Sequence, residues 1–175
     1  MTDYLSLAAL KGHRVSPKDE CLTFVNVKEA HKRPADANNA EIGDQYVFIA
    51  LDPSSRLALA WRLGRRDQKS TTVFIEKVSA VTAENQRFDI STDAFRPYNE
   101  AINVRLWDRA NHSVVVKVYS KPEETRERYS PGDFVTMEKS MQRGYPDLEK
   151  ARTSHVERKN GSLRQWCKRL KRIRK

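Results

Sequence analysis

Apolar side chains fall along this chain in short blocks, and their spacing changes from two residues to nearly four. Residues 21–27 are dense in β-branched and aromatic side chains and predict a strand, with Asp19 and Glu20 at its entrance. Residues 28–43 are polar, with Pro34 and the pair Asn38-Asn39, and predict a loop. The run Tyr46-Val47-Phe48-Ile49-Ala50-Leu51 is continuously apolar, as expected of a strand buried on both faces. Asp52-Pro53-Ser54-Ser55 predicts a turn, and residues 57–63 the returning strand. The period then lengthens. Asp67 is placed to cap a helix whose stripe is Phe74, Val78 and Val81. Residues 87–92 predict a short strand running into Asp93, residues 94–102 a helix that tolerates Pro97 in its first turn, and residues 113–119 another strand. Residues 121–152, with Pro122, Ser130-Pro131-Gly132 and Gly144-Tyr145-Pro146, read as an irregular insert with room for one short helix. A last helix is marked by Val156, Leu163, Trp166 and Leu170. Residues 1–17 are weakly patterned and read as a short extension before a single domain over residues 18–175.

Three strands in succession, followed by alternating strands and helices, predict a mixed five-stranded sheet with helices on its faces. If the first and fourth of these strands are neighbours, Asp19 and Asp93 converge at one edge and the last helix carries Glu157 over them. That is the arrangement of a ribonuclease-H-like fold, with the insert at residues 120–152 ahead of the final helix.

Charge changes the picture most at the C-terminal end. From Lys150 onward there are eleven Lys or Arg and one carboxylate, Glu157, so the formal net charge of +10 resides there. Glu157, Asn160, Arg164 and Lys168 share a helix face by spacing. One acid among cations suggests a polyanion laid along the helix with a carboxylate held against it, and a nucleic acid is the partner expected of such a tail. A Lys/Arg run is equally what a solvated or disordered tail carries. The remaining composition bounds the class. With 175 residues and 38% hydrophobic content the chain is large enough for one real core. No apolar run approaches a membrane span and no secretion signal is evident, so a cytoplasmic, chromosome-associated protein is expected. Cys21 and Cys167 stand alone, without disulfide or zinc spacing.

Three carboxylates brought together need positive charge among them. Mg²⁺ or Mn²⁺ answers this with oxygen ligation, and a pair of such ions serves an in-line phosphodiester displacement. Each acid also has a plainer reading. Glu157 fits a Ser-x-x-Glu capping box with Ser154, Asp93 could cap the helix after it, and Asp19 could be an ordinary residue before a strand. Asp52 competes as a catalytic acid, but the turn explains it.

Five pieces in register carry a family resemblance: Asp19-Glu20-Cys21-Leu22-Thr23-Phe24-Val25; Gly43-Asp44-Gln45-Tyr46-Val47-Phe48-Ile49-Ala50-Leu51-Asp52; Ser91-Thr92-Asp93-Ala94-Phe95-Arg96-Pro97-Tyr98; Arg128-Tyr129-Ser130-Pro131; and Val156-Glu157-Arg158-Lys159-Asn160. From about Lys18 onward the chain resembles the catalytic domain of insertion-sequence-one-like, InsB-type DDE transposases. The resemblance implies a metal-binding triad of Asp19, Asp93 and Glu157, with Arg158 and Asn160 in the Glu-Arg-x-Asn motif and double-stranded DNA as partner, while Arg164 and Lys168, placed on that helix face by spacing, extend the expected DNA contacts. It implies metal-dependent cleavage and strand transfer of element ends, an oligomer on DNA, and a DNA-binding region encoded upstream. Leu22 stands where the family commonly has Trp, and Ala94 where Gly is usual. A non-catalytic DNA-binding remnant and a nuclease on the same fold are the alternatives.

Overall fold

The computed structural model describes residues 3–9, 22–25, 27–39, 41–120, 133–167 and 170. Seven strands and three α-helices follow one another as β1 (Asp3–Ala9), β2 (Leu22–Val25), β3 (Gly43–Leu51), β4 (Ala58–Gly64), α1 (Gln68–Val81), β5 (Phe88–Thr92), α2 (Pro97–Arg105), β6 (Ala110–Tyr119), β7 (Phe134–Arg143) and α3 (Ser154–Trp166). The strands form one mixed sheet.

β3 organises one half of it. On one side it pairs antiparallel with β4, joined by the Asp52 turn. On its other side β2 lies along its first residues and β1 along its last, both antiparallel, so these two short strands sit end to end. β1 then pairs parallel with β5, β5 parallel with β6, and β6 antiparallel with β7.

Burial follows from alternation. Phe48 and Ala50 of β3, Phe88 and Ile90 of β5 and Ala110 of β6 form one cluster with Phe74, Ile75 and Val78 of α1 and Tyr98, Ala101, Ile102 and Leu106 of α2. α1 begins where Asp67 accepts the amide of Ser70 at 2.7 Å. It ends against Arg109 of the α2–β6 turn, whose guanidinium donates to the carbonyl oxygens of Ser79, Thr82 and Ala83. A buried cation at a helix C-terminus satisfies carbonyls that have no partner within the helix. α3 crosses the opposite face, with Val156 against Leu51 and with Leu163 and Leu170 against Ile49.

Several expectations change. The sheet has seven strands rather than five, because β1 and β7 come from segments read as unpatterned or irregular. β7 is exposed along nearly its whole length, so no burial imposes a hydrophobic alternation, and its backbone pairing with β6 holds it. α2 starts at Pro97 rather than residue 94. Val81 and Trp166 point to solvent, Trp166 at 80% exposure, so the buried sides of α1 and α3 lie at Thr71, Phe74, Ile75 and Val78 and at Val156, Asn160 and Leu163. No helix among the described residues is long and apolar enough to cross a membrane.

Candidate active site

The face of β5 and β6 turned away from α1 and α2 is polar, and its side chains are paired in rows. Asp89 accepts the Asn111 side-chain amide at 2.8 Å, and Ser91 and Ser113 share a hydrogen bond at 2.9 Å. The other Asp89 oxygen accepts the Asp147 amide at 2.8 Å, which ties the segment before α3 to this floor. Gly144 makes that approach possible. It has φ +63°, and a Cβ there would lie 2.2 Å from Asn111 Oδ1. Further along β6, Val115 packs with Ala151.

Asp93 directly follows β5 on the alternation of Asp89 and Ser91, hence toward the face that α3 crosses. Its Oδ1 accepts the Phe95 amide at 3.1 Å, two residues on. α2 has no side-chain cap, so helix capping does not account for Asp93. The Arg66 guanidinium lies 4.0 Å from the centre of the Phe95 ring and brings a cation to this loop.

Glu157 sits in the first turn of α3, and both its oxygens are engaged. The Lys117 ammonium of β6 forms an ion pair with Oε2, and Thr153 Oγ1 donates to Oε1 at 3.2 Å. Lys117 is 15% exposed and Glu157 39%, so the pair is roofed on one side and open on the other. The capping-box expectation fails, because α3 is preceded by Thr153 and Glu157 meets side chains.

Other nominated residues separate. Asp19, Lys168 and the Arg128-Tyr129-Ser130-Pro131 motif lie outside the described residues. Arg158 is exposed and Arg164 half-buried, but Asn160, at 6% exposure, packs inward and is not part of an open cationic face. Asp52 belongs to its turn: it accepts the amides of Ser54 and Ser55 at 2.9 and 3.1 Å and the Ser55 hydroxyl at 2.5 Å. Burial pushes the Asp52 carboxyl up, yet the Ser55 and Ser54 hydrogen bonds more than offset this and hold it below its ordinary value.

Lys117 and Thr153 were not visible as site residues in the sequence. Lys117 precedes Glu157 by 40 positions and carries no motif, and only the crossing of α3 over the sheet joins them.

The donor set decides whether a hard cation suits this face. Asp93 and Glu157 offer only carboxylate oxygens, which Mg²⁺ and Mn²⁺ prefer, and Glu157 already holds a cationic partner. Among the described residues no three His, Cys, Asp or Glu are grouped to hold a metal ion; Asp19 is not among them. Comparison of the chain with family models, curated proteins and solved structures gives no match.

Proposed function

We propose that this chain is the catalytic domain of a DDE-type DNA transposase on a ribonuclease-H-like sheet. It would hydrolyse the phosphodiester at an element's end and direct the freed 3′-hydroxyl onto target DNA. The observation that carries the reading is topological. The path β4-β3-β1-β5-β6, antiparallel in its first part and parallel from β1 to β6, supports such a sheet, although the strand beside β5 is β1 and not β2, the strand expected to follow Asp19, and α3 brings Glu157 over the face toward which Asp93 alternates.

On the family resemblance, Asp19, Asp93 and Glu157 would together hold two Mg²⁺ or Mn²⁺ ions, which would supply charge neutralisation at the attacking and leaving oxygens. The protein's own contribution is orientation. Thr153 fixes the Glu157 carboxylate, the Phe95 amide fixes Asp93, and buried Val156 and Asn160 seat the helix. Exposed Arg158, with the cations beyond it, would bind the phosphate backbone, and an upstream-encoded DNA-binding region and assembly on DNA complete the proposal.

A second reading, a DNA-binding remnant without turnover, is favoured by one observation: Ala8, not an acid, occupies the level beside Asp93. Nicking of element-end DNA separates the two. With the chain joined to a suitable DNA-binding region, Mg²⁺ or Mn²⁺ should support nicking and Ca²⁺ should not. Asp93→Asn should slow it roughly a thousandfold or more while DNA binding persists. A wild-type chain no faster than Asp93→Asn, with both bound to DNA, would leave only the remnant.

A further inference from the structure

Lys117 is placed where chance would rarely leave it. Its residue lies on β6, at the end of the row Asn111, Ser113, Val115, Lys117 that faces α3. The other three members of that row have partners of their own, Asn111 in Asp89, Ser113 in Ser91 and Val115 in Ala151. Lys117 reaches across to α3, where its ammonium meets the Glu157 carboxylate. Thr153 holds the other oxygen of that carboxylate, so its orientation is set from two sides. A lysine so covered is an unusual choice for a surface ion pair, which contributes little when both partners are hydrated. Its charge is the charge the carboxylate would otherwise draw from a metal ion.

We propose that Lys117 is a built-in counter-ion for Glu157, a positioning residue that holds the carboxylate in the metal-free protein and must give it up when a divalent cation binds. The inference rests on the metal-dependent reading above. An ammonium and a divalent cation cannot share one carboxylate oxygen closely without repulsion, so the two compete. The folded protein is thereby protected from an uncompensated acid on a half-covered face, a condition that destabilises when a partner is simply removed. The competition also lowers the affinity of the site for metal before DNA arrives.

Mn²⁺ alone, titrated into the full chain, tests this without relying on turnover. Calorimetry should show Lys117→Met binding Mn²⁺ about tenfold more tightly than the wild type. Thermal melting should show the same variant less stable without metal and raised by Mn²⁺ more than the wild type is, because binding to the folded state alone stabilises it. Lys117→Arg keeps the cation and should resemble the wild type in both measurements. Adding Glu157→Gln to Lys117→Met should abolish the gain in affinity. Equal Mn²⁺ affinity in Lys117→Met, Lys117→Arg and wild type overturns the proposal, as does binding too weak to detect in all of them. Should affinities be equal while Asp93→Asn still abolishes nicking, the transposase reading stands and only the role of Lys117 falls. Should Lys117→Met bind Mn²⁺ more tightly while no form nicks DNA, the counter-ion stands and the catalytic reading falls.

Discussion

β5 and β6 present two different chemistries on their two faces. Toward α1 and α2, Phe88, Ile90 and Ala110 join a closed apolar cluster. Toward α3, Asp89, Ser91, Asn111, Ser113 and Lys117 form hydrogen-bonded rows and an ion pair. The same backbone serves both, since alternation sends neighbouring residues to opposite sides. The apolar face draws its stability from area removed from water and from close packing, which tolerate no missing volume. The polar face gains little net energy from each hydrogen bond but forfeits much if one partner is removed. One face stabilises the sheet, and the other fixes polar side chains in place.

The sharpest way to break the contrast is to open the apolar face. Phe74 is fully buried, 5.5 Å from Phe48 and 6.5 Å from Tyr98 between ring centres. Phe74→Ala should cost about 3–5 kcal/mol in urea unfolding. A loss below about 1 kcal/mol, beneath the range for such truncations, would mean that this cluster is not the main core.

Among the described residues, a histidine on the apolar side sharpens the contrast. His112 is 1% exposed, and its Nε2 shares a 2.8 Å hydrogen bond with the Thr92 hydroxyl. Burial lowers its pKa from 6.5 to about 4. The unfolded chain therefore takes up this proton first as pH falls, so the stability tied to neutral His112 is intact above pH 6.5 and is lost progressively down to about 4. The loss is on the order of 3 kcal/mol. Denaturant midpoints measured across that window should fall in the wild type and fall less in His112→Gln. Parallel pH profiles for the two would show that another group governs acid unfolding.

The smallest expected effect belongs to the open side of α3. Arg158→Ala should leave stability within about 0.5 kcal/mol. The slope of log affinity for duplex DNA against log salt should fall by about one if this cation meets one phosphate. An unchanged slope would make this side of α3 a bystander in binding.

Local signals carried much of the fold. The apolar run of β3, the Asp52 turn, the return in β4, the Asp67 cap of α1 and the strand preceding Asp93 were each legible from a few consecutive residues. A turn, a cap and a buried run are decided by side chains acting on their own neighbourhood. Only the tertiary structure placed β1 between β3 and β5, added β7 to β6, turned Asn160 inward and joined Lys117 to Glu157. Those outcomes depend on which distant backbone groups remain to be paired and which polar side chains meet when α3 crosses the sheet. Neither is written in the hydrophobic period of any one segment, because pairing and ion contact are set by the partner as much as by the residue itself.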